Sequence, residues 1–133
     1  DRSSASANKW MVVHYFEDTK SCFEAVRKKY NQIYCTHLNE ASKGLYELNL
    51  THPTALVFGN EHEGVTEEAL SYCNGNFIIP QAGIIQSLNI SVACAVSMYE
   101  AFRQKELAGH YHERKITIDE QASLLKKWEI WDY

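Results

Sequence analysis

The 133-residue sequence has no apolar run that approaches the roughly 20 residues needed to span a membrane, and no signal-peptide pattern stands at its start. It also has no excess of positive charge: 13 Lys and Arg residues face 17 Asp and Glu residues, which gives a formal net charge of −4. This balance argues against nucleic-acid binding through bulk positive charge and leaves only a local basic patch for that role. Internal repeats and low-complexity tracts are absent.

Cysteine pairs of the Cys-x-x-Cys type are also missing, although the chain has four cysteines, Cys22, Cys35, Cys73 and Cys94. Each of them lies in an apolar or periodic stretch, so we predict reduced, buried thiols in a cytoplasmic protein. The histidines do not supply three or four converging ligands at metal-site spacing, and no metal is predicted.

The composition that is present, 45% hydrophobic and 23% charged residues, is that of a globular domain with its own core. Apolar and β-branched segments predict strands at Trp10–Phe16, Gln32–Thr36, Thr54–Phe58 and Phe77–Ile79. Helical spacing and caps predict helices over Lys20–Tyr30, Thr66–Tyr72, Ser87–Lys105 and from the Thr117–Glu120 capping box to about Lys127. The polar stretch around Gly44 has no clear assignment. Strands alternating with helices predict an α/β domain with a mostly parallel sheet.

The first candidate site is the loop Gly59-Asn60-Glu61-His62-Glu63-Gly64, which follows the Thr54–Phe58 strand. Its glycines have the spacing of a phosphate-binding loop, but the Lys that such a loop requires is missing. Glu61 and Glu63 would also repel phosphate, and the spacing is not that of a dinucleotide fingerprint. The composition suits a partly cationic ligand, with a plain tight turn as the alternative.

The second candidate site is the loop from Gln81 to Asn89, which follows the Phe77–Ile79 strand and leads into the long helix. Ligands of parallel α/β sheets bind beyond the carboxyl ends of the strands, where both loops are expected. Ser87 alone would serve as a helix N-cap. Gln86, Ser87 and Asn89 together exceed what one cap requires, which favours a polar site.

These two loops resemble motifs of a known family. Residues Ala55–Val65 resemble the second motif of the SpoU-type ribose methyltransferases, and Phe77–Pro80 with Gln86–Ala93 resemble the third. The segments Ala101–Gln104 and Ala108–Tyr111 extend the likeness to the TrmH branch, which methylates the ribose 2′-hydroxyl of a D-loop guanosine in tRNA. The likeness runs from about Ser4 to Tyr111.

The resemblance implies the SPOUT fold, a mostly parallel α/β sheet with helices on both faces and a C-terminal deep trefoil knot, a rare exception to topology rules. It implies an S-adenosylmethionine site built by the knot and a homodimer whose active site uses both subunits. It further implies a methyltransferase domain over residues 1–109, followed by a helical extension over residues 110–133.

The resemblance also implies roles for particular residues. The candidate catalytic residues, which match functional positions of the two motifs, are Glu61, Ser87 and Asn89. The candidate cofactor site comprises Thr36, Gly59, Asn60, Ile78, Ile79, Pro80, Ser87 and Leu88. Elementary chemistry agrees, because a glycine permits a close approach, isoleucine and leucine offer adenine an apolar wall, and helix N-terminal amides hold anions.

One departure concerns the family's first motif, an Asn and a catalytic Arg on an N-terminal strand and helix. No segment before Trp10 has room for it, so we expect the chain to begin after that motif and to be poorly folded or nearly inactive by itself. Two alternatives stay open: ribosomal RNA as the substrate, or a non-catalytic module that binds RNA or the cofactor. The basic runs at residues 27–29 and 126–127 are interpreted as solvated helix faces, with RNA contact as the alternative.

Overall fold

The computed structural model describes residues 11–83 and 88–128. The described chain divides into two compact units, one spanning Glu17–His110 and the other combining residues 11–16 with residues 111–128. The larger unit contains the whole of the described sheet. Within the described residues, no helix has the length and apolarity to cross a bilayer.

The sheet of the larger unit is parallel throughout, as the alternation of strands and helices predicts. Its strands are β1 (Gln32–Thr36), β2 (Lys43–Gly44), β3 (Thr54–Val57) and β4 (Gly75–Ile78). Their order across the sheet is β2-β4-β1-β3. Because every neighbouring pair is parallel, the carboxyl ends of all the strands lie at one edge.

Four α-helices are described, and side-chain caps fix the start of each. They are α1 (Thr19–Arg27), α2 (Glu67–Tyr72), α3 (Ile90–Leu107) and α4 (Ile118–Trp128). Asp18 accepts a hydrogen bond from the Ser21 amide at 2.7 Å before α1, and Thr66 accepts one from the Ala69 amide at 3.2 Å before α2. The stretch around Gly44 contains β2 and a short 3₁₀ helix, Leu45–Glu47.

Two hydrophobic clusters cover the two faces of the sheet, because successive side chains of a strand point to opposite faces. On one face, Phe77 of β4 packs with the leucines of the segment after β2 and with α3; the cluster and its helical contacts are Leu45, Leu48, Leu50, Phe77, Val96 and Ala101. On the other face, Phe23 of α1 and Ala69 of α2 pack against Ile33 of β1. Helices therefore cover both faces, as predicted.

The predicted first strand, Trp10–Phe16, is wrong over its described part. Residues 11–16 form no strand, and their side chains are exposed. They belong to the smaller unit, where the described residues include no strand that could pair with them. A β-rich composition produces a strand only where a neighbouring strand completes the ladder.

β3 is the edge strand of the described sheet, and both of its faces are covered: Leu56 packs against the cluster around Phe77, and Ala55 and Val57 pack against the cluster around Ile33. One further expectation is corrected. The cysteines are reduced, but Cys94 is exposed on α3, and only Cys35 is fully buried. Burial raises the pKa of the Cys35 thiol and raises that of Cys73 to about 12.

Candidate functional site

A cleft of about 490 Å³ lies at the carboxyl edge of the sheet. This size falls within the roughly 300–1,000 Å³ typical of small-ligand sites. The end of β1, the segments after β3 and β4, and the first turn of α3 line it with Thr36, Phe58, Gly59, Asn60, Glu61, Gly64, Ile79, Gln81, Leu88, Asn89, Ile90 and Ala93. The two loops singled out in the sequence therefore meet at one site.

The loop after β3 is organised by Asn60. The side-chain oxygen of this residue accepts hydrogen bonds from the amides of His62 at 3.0 Å and Glu63 at 2.6 Å. The Gly64 amide donates to the Asn60 carbonyl at 3.1 Å, and Gly64 has a φ of +69°, which favours glycine. The loop is thus a closed turn that presents the exposed Glu61 to the cleft.

The structure requires a glycine at position 59, but the reason differs from the expected close approach to a ligand. A Cβ atom on Gly59 would collide with the backbone of Gly64 and Val65, where the loop folds back on its own start. A valine at this position would therefore displace the whole loop. Gly59 lines the cleft, but its substitution cannot separate lost binding from a disrupted loop.

The segment after β4 brings some of the predicted residues to the cleft and leaves others outside it. Ile79 is half-buried, packs against the cluster around Phe77 and lines the cleft. Ile78 is exposed and pairs in register with Gly44 of β2, so the two-residue alternation of the strand turns it away from this lining. Pro80 is also outside the lining and lies near Gly44.

The N-terminus of α3 forms the third side of the cleft. The helix begins at Ile90, after the predicted start, and its N-cap is Asn89. The Asn89 side-chain oxygen accepts from the Ser91 amide at 2.8 Å, and the Asn89 carbonyl accepts from the Ala93 amide at 2.9 Å. The positive end of the helix dipole therefore faces the cleft. Ser87, the predicted cap and candidate catalytic residue, lies outside the described residues together with Gln86.

Most of the predicted site residues within the described chain do converge on the cleft: Thr36, Gly59, Asn60, Glu61, Ile79, Leu88 and Asn89. Sequence reasoning missed Phe58, Gly64, Gln81, Ile90 and Ala93. A helical spacing from Asn89 to Ala93 would have indicated the last of these. Glu61 is the one charged side chain in the lining that the structure describes. Over the same described ranges, no three His, Cys, Asp or Glu side chains converge as a metal site requires.

The fold and the cleft define an α/β domain with a candidate ligand site at the carboxyl edge of a parallel sheet, between a closed acidic loop and a helix N-terminus. The family model of the SpoU rRNA Methylase family matches residues 1–99. The chain belongs to that family.

Similar proteins agree with this membership. The chain is 35% identical over 128 residues to a tRNA (guanosine(18)-2′-O)-methyltransferase of Thermus thermophilus. The aligned region covers 96% of this chain and 66% of that protein. A crystal structure of the A. aeolicus TrmH/SpoU tRNA modifying enzyme superposes with a TM-score of 0.81 at 35% identity, over 92% of this chain and 62% of the other. An AdoMet-bound rRNA methyltransferase from Sinorhizobium meliloti gives a TM-score of 0.58 at 30% identity, over 64% and 33% of the two chains. The chain thus spans about two thirds or less of the length of these proteins.

Proposed function

We propose that this chain forms the cofactor site and part of the active site of an S-adenosylmethionine-dependent RNA ribose 2′-O-methyltransferase whose substrate is tRNA, with a D-loop guanosine as the target. The observation that carries the proposal is the convergence of two separate motifs, around Glu61 and Asn89, on one cleft at the carboxyl edge of the sheet. The relatives from Thermus thermophilus and A. aeolicus, both tRNA-modifying enzymes, support tRNA as the substrate.

The lining of the cleft fits the chemistry of S-adenosylmethionine, which supplies a methyl group on a sulfonium. Ile79, Leu88 and Ala93 form an apolar surface suited to a purine ring. The N-terminal amides of α3 suit the carboxylate of the cofactor. Glu61 is an acceptor and an anion, and it suits the cationic part.

Methyl transfer is an in-line displacement, so the main task of the protein is to position the reacting groups. Asn89 uses its side-chain oxygen to cap α3, which leaves its amide nitrogen as the donor that orients a nucleotide. The ribose 2′-hydroxyl is a weak acid and gains from a hydrogen-bond acceptor. Glu61 is the one carboxyl side chain in the described lining of the cleft, which makes it the first residue to test.

Methyl transfer can be measured with radiolabelled S-adenosylmethionine, a tRNA transcript and a ribosomal RNA transcript. With the full-length protein we expect label in tRNA, and a transcript with 2′-deoxyguanosine at the target position should receive none. Residues 1–133 alone should transfer little. Labelling of ribosomal RNA alone would favour the second candidate substrate, which the Sinorhizobium meliloti structure supports. Cofactor binding without any transfer would favour a non-catalytic module.

A matched pair of carboxylates in the same loop sharpens the test. Glu61 and Glu63 are both exposed, but only Glu61 lines the cleft. Glu61→Gln should reduce kcat/KM at least tenfold, whereas Glu63→Gln should leave it within about twofold. Equal effects of the two substitutions on kcat/KM would contradict a role of Glu61 in the site.

A homodimer also belongs to this proposal. Large apolar side chains of α3 are exposed, among them Met98 at 62% and Tyr99 at 75%, which favours a partner surface on that helix. Light scattering at micromolar concentration should give twice the monomer mass, and Tyr99→Lys should shift it to the monomer. A monomer mass for the unsubstituted protein would contradict the dimer.

The proposal further includes the deep trefoil knot, a methyltransferase domain that ends near Gly109, and a cytoplasmic location. The end of the larger compact unit at His110 supports that domain boundary. An experimental chain trace through residues 79–90 would test the knot.

A further inference from the structure

We infer that Asn76 is a positioning residue of the cleft: it fixes the turn that follows β1, and through that turn the end of the strand. This inference rests on the proposed function and adds to it a residue outside the cleft lining. Asn76 is a half-buried residue of β4. It precedes the segment Phe77–Pro80 that carries the motif resemblance, so the motifs gave it no role.

The turn after β1 lies at the centre of the carboxyl edge of the sheet. β1 is placed between β3 and β4, the two strands whose following segments form the cleft. Thr36, the last residue of β1, lines the cleft between them. The chain then leaves the sheet through residues 37–42 and returns to it at Lys43 of β2. A shift of this turn would therefore move Thr36 and change the space between the two loops.

The Asn76 carboxamide ties the turn to β4 through its nitrogen. This nitrogen lies within hydrogen-bond distance of three acceptors of the turn: the His37 carbonyl at 3.1 Å, the Asn39 side-chain oxygen at 3.0 Å and the Ser42 hydroxyl at 2.6 Å. The amide of His37 also donates to the Phe77 carbonyl at 3.2 Å, which extends the pairing of β1 with β4 by one residue. The first residue after Thr36 is thus held through both its amide and its carbonyl.

Ser42 closes the same network from within the turn. Its hydroxyl donates to the His37 carbonyl at 2.7 Å, and it accepts from the Asn39 amide at 2.8 Å and from Asn76. One donated and two accepted bonds use the full capacity of a hydroxyl group. A polar network whose members are all satisfied is rigid, and the removal of one member affects the others. The course of the turn therefore depends on Asn76 and Ser42 together.

A second asparagine of the same segment uses the other end of its carboxamide. Asn74, just before β4, accepts through its side-chain oxygen from the Ile33 amide and from the Arg27 guanidinium, both at 2.9 Å. An ionised carboxylate can accept such bonds, but it cannot donate those that the Asn76 nitrogen makes. Replacement by aspartate is therefore conservative at position 74 and disruptive at position 76.

The test compares Asn76→Asp with Asn74→Asp, which makes the same change of charge. Calorimetry with S-adenosylhomocysteine and the full-length protein measures the affinity, and urea denaturation measures the stability. We expect Asn76→Asp to weaken binding about fivefold and to raise the KM for S-adenosylmethionine by a similar factor, with kcat within about twofold. Asn74→Asp should leave the affinity within about twofold. A merely structural role would lower the urea midpoint and leave the affinity of the folded protein unchanged.

A neutral variant supports the comparison. Ser42→Ala removes the other half of the network without a change of charge, and it decides the question if Asn76→Asp does not fold. We expect Ser42→Ala to weaken binding about fivefold as well. The double variant should bind no more weakly than either single variant, because the two residues act as one unit.

The possible outcomes separate this inference from the proposed function. Unchanged affinity in Asn76→Asp, or in Ser42→Ala where the former does not fold, would overturn the positioning role. Equal weakening in Asn74→Asp would also overturn it, because the added charge would then be the cause. Effects that multiply in the double variant would overturn the shared network. Failure of the unsubstituted protein to bind S-adenosylhomocysteine would overturn the proposed function, and this inference with it.

Discussion

The helices α1 and α3 cover opposite faces of the same sheet, yet they use their side chains differently. α1 is amphipathic. Its Phe23 side chain packs in the core against the ring of Tyr72 and the side chain of Ile33, and charged residues occupy the outer side of the helix. α3 has no single apolar face: it buries Ser97 and Glu100 while it exposes Met98 and Tyr99. Large apolar side chains exposed on a helix favour a further neighbour on that side. α1 is thus complete within the described fold, whereas α3 serves the core, the cleft and an outer surface.

The side-chain hydrogen bonds that attach the two helices to the rest of the fold also differ, in this case in their burial. The Arg27 guanidinium of α1 donates to the Asn74 side chain at 2.9 Å and to the Tyr72 carbonyl, at exposed positions. On α3, Gln104 donates to the Leu48 carbonyl at 3.0 Å and accepts from the Leu50 amide at 2.8 Å, at partly buried positions. Unmet hydrogen bonds cost more in a buried place, so we expect the fold to depend more on the α3 attachment.

The largest effect is expected for substitutions in the two hydrophobic clusters, one on each face of the sheet. Phe77, under α3, is fully buried, and its ring contacts that of Phe58 edge-on at 6.2 Å between centroids, whereas Phe23 of α1 is 9% exposed. Phe77→Ala should lower the free energy of unfolding by about 4 kcal/mol, and Phe23→Ala by about 3 kcal/mol. Urea denaturation of both variants measures the difference. A larger loss in Phe23→Ala would reverse the ranking of the two faces.

The second prediction concerns the attachments. Gln104→Leu leaves the Leu48 carbonyl and the Leu50 amide without this partner, which should cost about 1–3 kcal/mol of stability. Arg27→Met removes exposed hydrogen bonds and should cost less than about 1 kcal/mol. The same denaturation experiment serves for both variants, and equal losses would show that burial does not separate the two attachments.

The third prediction compares the caps of α2 and α3. Thr66→Ala and Asn89→Ala each remove a capping oxygen and should each cost about 1 kcal/mol of stability. Only Asn89→Ala should also weaken S-adenosylmethionine binding, by several-fold in calorimetry, because Asn89 lines the cleft. Asn89→Asp keeps the capping oxygen and serves as the variant that restores stability. If Thr66→Ala weakened binding as much, the effect would be one of stability.

The smallest expected effect is the pH dependence of the α3 network. Hydrogen bonds from Arg103 and Gln104 hold the pKa of Glu100 below its usual value of 4.5, against the opposing effect of burial. A depressed pKa stabilises the fold above the unfolded-state pKa, and this contribution is lost as the pH falls through the folded-state value. Glu100→Gln should therefore cost at most about 1 kcal/mol at pH 7, and this cost should decrease progressively as the pH falls below 4.5. A cost that does not change over this pH range would exclude the charge of Glu100 as its source.

The two helices also show what could be predicted from the sequence. The helical spacing that contains Phe23 and Val26 predicts α1 and its buried side, since an amphipathic pattern already states which face is covered. The Thr66 cap and the Thr117–Glu120 box are confirmed, with the Glu120 amide donating to the Thr117 hydroxyl at 3.1 Å. The predicted start of α3 at Ser87 is too early, because Ser87 and Asn89 are equally good caps and local chemistry does not choose between them.

By itself the sequence determined the α/β class, three of the four strands predicted, and the two loops that bear the site, because these follow from patterns of neighbouring residues. Only the tertiary structure decided which members of those loops share the cleft. Ile79 reaches it and Ile78 does not, because the register of β4 in the sheet assigns the two side chains to opposite sides. Gln81 enters the site, and Gly59 is needed for the closure of its own loop, because segments distant in sequence meet there. A strand at residues 11–16 fails for the same reason: a ladder needs a partner, and the partner is a property of the fold.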